Sequence, residues 1–238
     1  MGKPSAIEYR RMTSTDLVQM AALHAEVFPD YFLTRFGPRV VSLYYSQYLE
    51  HPHAYGFVAV DGVRVVGFIV GGRDITQLER RMFRRHLHRI APIVLARFLQ
   101  DREVRAGVLS RAYLVRRALG AFMGPQRAPK TRAQGSGDQH ADPTGPLVSV
   151  LSTAVTGTHR GRGVGGGLQR LFLETAHRDG AVVARSNVYR TNPQHVERKL
   201  KAGWRVLRSD ENKVTFEYRM DDPAGSDAPE ESEPAESG

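Results

Sequence analysis

Arg160, Gly161, Arg162, Gly163, Gly165 and Gly166 stand between an apolar stretch, Leu147 to Val155, and an amphipathic one that runs Leu168, Leu171, Phe172, Thr175, Ala176. A strand, a basic glycine-rich loop and a helix N-terminus, in that order, can hold a diphosphate. The N–H groups of a first helical turn have no intrahelical acceptor, and the helix dipole adds partial positive charge beside them. Glycines let the backbone approach the anion, and Arg160 and Arg162 supply mobile countercharge. The same glycines also suit a sharp turn that binds nothing.

Three nucleotide readings compete for this loop. An ATP-type phosphate loop needs a lysine directly after its glycines, and none follows here. The dinucleotide pattern GxGxxG is present as Gly161, Gly163 and Gly166. That pattern belongs in a first strand–helix unit, with an acid about 20 residues on. Here it lies past the middle of the chain, and Ala181 to Arg190 contains no acid. The third reading fits its surroundings. Arg160-Gly161-Arg162-Gly163-Val164-Gly165 resembles the R/Q-x-x-G-x-G/A acyl-CoA loop of the GNAT N-acetyltransferase superfamily. Thr153-Ala154-Val155 resembles the family's strand end before that loop. Asn192-Pro193 and Gly203-Trp204 resemble its later Asn and Gly-aromatic positions. The resemblance covers about residues 6–73 and 147–220.

The resemblance implies an α/β fold with a twisted, mixed but mostly antiparallel sheet flanked by helices. It implies acetyl-CoA as cosubstrate, its pantetheine arm lying between strands four and five. The residues it assigns to the cofactor are Thr153, Ala154, Val155, Arg160, Gly161, Arg162, Gly163, Val164, Gly165, Gly166 and Asn192. Asn192 also suits a helix N-cap before Pro193. No metal is implied.

The catalytic groups depart from the family pattern. Relatives often place a tyrosine seven residues after this Asn to protonate the departing thiolate; here Lys199 stands there. An ammonium can donate to a thiolate whose thiol has a pKa near ~8.5. Lys199 can equally be a surface residue flanking an apolar Val196–Leu200 stripe. The acceptor amine, with a lysine-like pKa of ~10.4, must lose a proton before it attacks. Strand four has no acid, and Asn187 stands where some relatives carry Glu. Asp30 is the candidate base, with Glu26 nearby, and Phe28, Asp30 and Tyr31 are candidate acceptor-binding residues. The aromatics there also read as a packed turn. His24 and His159 read as structural or solvent-facing.

These groups need elements to position them. Ile7 to Met12 reads as a strand, and Ser14 as the cap of a helix with Leu17, Met20, Ala21, Leu23, Val27 and Phe28 on its apolar side. A second helix runs from about Pro38 to Leu49. Tyr55–Val60 and Arg64–Gly71 form a hairpin around Asp61-Gly62. An insertion follows, then a strand over Val148–Val155, the loop and its helix. A strand over Ala181–Arg190, a helix from Pro193 to about Lys201 and a last hairpin complete the chain. The order is β-α-α-β-β, insertion, β-α-β-α-β-β, which is the GNAT order.

Composition frames the rest. The chain has 238 residues, no cysteine and a formal net charge of +9. One domain over 1–220 is expected, with 74–146 as a basic helical insertion and 221–238 as a disordered acidic tail. Without cysteine there are no disulfides and no acyl-cysteine intermediate. The N-terminus has no apolar signal core, and no apolar run reaches transmembrane length, so a cytoplasmic location is expected. Residues 74–133 hold fourteen Lys or Arg against four acids. That stretch reads as a helical cover or oligomer contact, as a peripheral membrane or lipid-linked-substrate dock, or as a nucleic-acid site. No nucleic-acid motif accompanies the charge, so that last partner is disfavoured. Its end, Gly124 to Gly145, reads as a flexible loop.

The expected activity is direct acetyl transfer from acetyl-CoA to a primary amine of a small molecule, with an amino sugar of polysaccharide biosynthesis as the specific guess. The alternatives are a protein N-terminal or lysine acetyltransferase, and a CoA-binding module without transferase activity.

Overall fold

A computed structural model describes residues 6–110 and 145–220. The tail 221–238 and the Gly124–Gly145 loop expected from the sequence lie outside the described residues, apart from Gly145 itself. Seven strands form one sheet in the order β1-β2-β3-β4-β5-β7-β6. They are β1 (Glu8–Arg11), β2 (Ala54–Asp61), β3 (Arg64–Gly72), β4 (Leu147–Val155), β5 (Val183–Tyr189), β6 (Arg205–Ser209) and β7 (Lys213–Arg219). Every neighbouring pair is antiparallel except β4–β5, which is parallel. The helices are α1 (Leu17–Val27), α2 (Pro38–Glu50), α3 (Ile75–Gln100), α4 (Arg102–Ser110), α5 (Val164–Arg178) and α6 (Pro193–Lys201).

The sheet is covered on both faces. On one, α5 presents Val164, Leu168, Phe172 and Ala176, spaced by four residues along one side of the helix. They meet Tyr55, Phe57, Val66, Val148, Val150 and Phe216 in a single cluster. Phe172 stands edge-on to Tyr55, with ring centroids 5.6 Å apart. Burying such a side chain contributes roughly 1.5–3 kcal/mol. On the other face, α1 and α2 bring Met20, Leu23, Val41 and Tyr45 onto Val58, Phe68, Val70 and Ala154. Further out, α3 and α4 pack on α2 and on the chain before it, through Phe36, Val40, Met82, Ile90 and Val104.

The start of α1 differs from expectation. The cap is built by Thr13 and Asp16 rather than Ser14. The Asp16 carboxylate accepts from Thr13 N at 2.7 Å and Thr13 Oγ1 at 2.8 Å, and Arg10 grips both its oxygens at 2.7 and 2.9 Å. A three-residue 3-10 turn, Ser14–Asp16, therefore precedes the α-helix. Among the described residues no helix is long and apolar enough to cross a membrane.

The decisive irregularity is at the sheet's centre. Opposite Val70 and Gly71 of β3, β4 offers Ser152 and Val150, so Leu151 is an extra residue in the ladder. Such a bulge bends its strand and sharpens the local twist. The pairing of β4 with β5 runs from Leu147↔Val183 to Val150↔Ser186 and stops there. Beyond it, β4 stays with β3 as far as Val155, and β5 stays with β7 as far as Tyr189. A cleft opens between them.

Gly71 holds this region closed beneath the cleft. A Cβ there would run into the Ser149 carbonyl and the Phe172 ring. Neither can retreat, because one is backbone and the other is core. Gly71→Ala is expected to destabilise the fold by ~1–3 kcal/mol, read as a fall of several degrees in Tm with the far-ultraviolet spectrum of the folded state unchanged.

Candidate functional site

The cleft is lined by peptide groups whose direction follows from the ladder. Thr156 N–H donates to Val66 O at 2.9 Å, and Ala154 faces Phe68 in the same register. Residues two apart in an antiparallel strand direct their N–H and C=O to the same side. Ser152, Ala154 and Thr156 therefore serve β3, while Thr153 and Val155 turn theirs toward β5, which has diverged. The expected set Thr153, Ala154, Val155 is thus divided. Ala154 is buried on the α1/α2 face with its peptide groups taken. Thr153 and Val155 carry the exposed hydrogen-bonding edge. One of these groups is already used: Arg160 Nε donates to Val155 O at 3.2 Å.

The glycine loop continues from that strand end. Gly161 and Gly163 have φ of +78° and +75°, a region that L side chains rarely adopt, and Gly163 is the residue from which α5 starts. A Cβ at Gly161, Gly163 or Gly166 would meet nothing within 4 Å, so the loop stands open above all three. Gly167 N–H donates to Gly163 O at 2.9 Å, closing the first turn of α5. The N–H groups of Val164, Gly165 and Gly166 precede it and point out of the helix end. Gly167 serves packing instead, since a Cβ there would strike the Tyr9 ring. Arg162 is exposed beside the loop. His159 ties the loop to the β2–β3 turn through Asp61 Oδ2, 3.2 Å from its Nε2. That is a structural tether, in line with the expectation for His159.

Across the sheet, the segment after α1 covers the α1/α2 side of the cleft. Phe28 and Tyr31 lie 4.7 Å apart between ring centroids, and Tyr31 meets Tyr189, the last residue of β5, edge-on at 6.1 Å. The packed turn and the candidate acceptor wall are therefore one structure. Beneath it, His24 Nδ1 is 2.7 Å from Tyr45 Oη, which reaches Ser152 Oγ at 3.5 Å. His24 is buried and its Nε2 has no hydrogen-bond partner. Burial lowers its pKa to about 4, so the imidazole is neutral.

The two carboxylates here are placed differently. Asp30, the candidate base, is exposed on the turn, and no hydrogen bond or ion pair engages it among the described residues. Glu26 reaches the end of β4 instead. Its Oε1 accepts from Thr156 Oγ1 at 2.9 Å and from Gly157 N at 3.3 Å. The carboxylate brought to the cleft end is thus Glu26. The helical period hinted at this, since Glu26 lies three residues beyond buried Leu23 and so on the same side of α1.

On the α5 side, Asn192 Oδ1 accepts from His195 N at 3.1 Å and caps α6. The N-cap role is filled and occupies the side-chain oxygen. Lys199 departs from the surface reading. It is 4% exposed, whereas Leu200 is 49% exposed. Its Nζ donates to Gln169 Oε1 of α5 at 2.9 Å and stands 3.6 Å from the centroid of the Trp204 ring. Of the Val196–Leu200 stripe only Val196 packs on the core, because α6 turns its Lys199 edge inward, where the indole and Gln169 receive the ammonium. Burial lowers the Lys199 pKa to about 7. Tyr189, Tyr45, Ser152 and Gln169 join these contacts without a local sequence signal.

No protein-family model matches the sequence, and no curated protein matches it in sequence. Solved structures do match in fold. A Desulfovibrio desulfuricans protein assigned to the GNAT acetyltransferases has a TM-score of 0.51, covering 90% of this chain and 99% of its own, at 11% identity. PaiA N-acetyltransferase of Thermoplasma acidophilum, solved with coenzyme A, has a TM-score of 0.54, covering 90% and 99%, at 10% identity. An aminoglycoside N-acetyltransferase, AAC(6')-Iy, solved with CoA, has a TM-score of 0.52, covering 89% and 98%, at 14% identity. The chain has the GNAT fold.

Lys199 sets a pH dependence of stability. Its folded pKa, about 7, lies below the ordinary value of 10.5. Between these values the unfolded chain holds a proton there that the folded chain has released. Stability at this position is therefore lowest below pH 7 and rises up to about pH 10. Denaturant unfolding of the wild type against Lys199→Met should show this as a wild-type rise on the order of a few kcal/mol across that window, absent from the variant.

Proposed function

We propose that this chain is an acetyl-CoA-dependent N-acetyltransferase that moves an acetyl group directly to a primary amine of a small molecule. One observation carries the reading. The unpaired peptide edge of Thr153 and Val155 runs directly into the open glycine loop, so a hydrogen-bonding cleft and an anion cradle form one continuous track. Coenzyme A has the matching chemistry: an amide-bearing arm that can extend a strand edge, joined to a diphosphate. The open space above Gly161, Gly163 and Gly166 fits the diphosphate. Bound there, the cosubstrate supplies an activated acetyl thioester.

The chain's own groups account for the remaining needs. Val155 N–H, at the cleft end, is placed to donate to an oxygen that gains negative charge. Lys199, with a pKa of about 7, is a proton source matched to a thiolate. Glu26 is the carboxylate positioned to take the proton of the incoming amine, directly or through water. Phe28 and Tyr31 offer aromatic faces to the acceptor, and an amino sugar can lay its C–H face against them. Tyr31 and Tyr189 meet across the cleft mouth. An extended peptide would have to cross that bridge, which favours a small acceptor over a protein N-terminus or lysine.

Thermal-shift titration with acetyl-CoA, against NAD and ATP, tests the cosubstrate. Ligand at 100 times its dissociation constant contributes ~2.7 kcal/mol, a rise of a few degrees. Gly163→Asp should abolish that rise, because it strains φ and sets a carboxylate beside the diphosphate. A larger rise with NAD would overturn the reading. Turnover on nucleotide-linked amino sugars should exceed turnover on peptides.

The base assignment has its own outcome. Glu26→Gln keeps an oxygen for Thr156 and Gly157 but cannot take a proton. It should lower kcat by ~100-fold or more, while Asp30→Asn stays near wild type. Steady-state kinetics with one amine distinguishes the two.

A further inference from the structure

Among the described residues, one side of α3 is left bare by the packing. Met82 and Ile90, with Phe83, Ile93 and Val94 beside them, face the cluster formed with α2 and α4. The opposite side is exposed along its length. At 100° per residue, Arg81, Arg85, His88, Pro92, Leu95 and Leu99 fall within about 40° of one line, which spans ~27 Å. Its first half is cationic, with Arg84 and Arg89 flanking it. Its second half is apolar: Leu95 is 58% and Leu99 65% exposed. Across α3 the single acid is Glu79.

We propose that this face seats the protein on a membrane surface rich in anionic lipid. Both halves of the stripe are then used. Arginine forks bind phosphate oxygens with two parallel hydrogen bonds. The leucines enter the boundary between headgroups and acyl chains, as an interfacial helix does. A nucleic acid would take the arginines and leave the leucines in water, and an acidic protein surface would do the same. The helix lies on the interface rather than crossing it, since no described helix is long and apolar enough to span.

The position of α3 gives the contact a consequence. Phe36, in the segment that follows the Phe28–Tyr31 turn, packs in one cluster with Met82 and Ile90. Arg35 of that segment also pairs with Glu103 of α4. Docking α3 therefore holds the wall over the cleft close to the lipid surface, where an amine carried by a membrane-anchored molecule would arrive. The surface contact itself does not depend on the transferase reading.

Co-sedimentation of the full chain with phosphatidylcholine vesicles, with and without phosphatidylglycerol, tests the proposal. Binding is expected only when phosphatidylglycerol is present, and it should weaken as salt rises. A variant with Arg81→Gln, Arg84→Gln and Arg85→Gln should bind about 100-fold more weakly, on the order of fivefold per arginine. A variant with Leu95→Ser and Leu99→Ser keeps every charge and should still lose at least about tenfold. All five positions are exposed, so circular dichroism should report an unchanged fold. Equal binding to neutral vesicles, no binding to anionic ones, or an unaffected arginine variant would overturn the proposal. So would an unaffected leucine variant together with tight duplex-DNA binding that the arginine variant loses; the face would then be a nucleic-acid site.

Discussion

The parting of β4 from β5 after Val150 and Ser186 is the constraint on which the site depends. A parallel pair at the middle of a sheet normally continues for the length of its shorter strand. Here the bulge at Leu151 turns β4 while β3 still holds it, and β7 still holds β5. Peptide groups in the gap have lost a strand partner, and each unsatisfied buried group costs ~1–3 kcal/mol. The surroundings offset part of this cost. Arg160 takes the Val155 carbonyl, and Glu26 takes the Gly157 N–H. What stays open is the edge of Thr153 and the N–H of Val155, which lead into the glycine loop.

The two faces of the sheet divide the work. The α5 face is apolar and closely filled, and it carries the loop because the helix that begins at Gly163 is anchored by Leu168 and Phe172. The open space above Gly161, Gly163 and Gly166 is thus backed by a rigid helix. The α1/α2 face is richer in polar aromatics. Tyr45, His24 and Ser152 form a buried chain of contacts under the turn that carries Phe28 and Tyr31. Burial keeps His24 neutral and raises the Tyr45 pKa, so neither adds a charge beneath the cleft. The charges fixed at the end of β4 are Glu26 and Arg160. The insertion adds a third layer, joined to the segment after that turn by Phe36 packing and the Arg35–Glu103 pair.

Much of this was legible along the chain. The hairpin around Asp61-Gly62, the apolar spacing of α5, the Pro193 start of α6 and the order of elements follow from turn chemistry and periodicity. Both act over a few residues and leave a local imprint. The glycine loop was legible for the same reason: positive φ at Gly161 and Gly163 is a backbone demand that residue type reveals. Boundaries were less exact where neighbouring side chains competed for the cap, as when Arg10 and Thr13 drew Asp16 into it.

The sequence by itself determined which elements form, in what order, and where a glycine-rich loop opens a helix. Tertiary structure decided which groups face the cleft. Parity along β4 gave the open edge to Thr153 and Val155 rather than Ala154, and that parity depends on pairing with β3. Lys199 turned inward because Gln169, on a helix earlier in the chain, meets the Trp204 ring at its position. Glu26, not Asp30, reached the strand end because α1 crosses β4 there. Each outcome rests on contact between segments far apart in sequence, and no local pattern records such a contact.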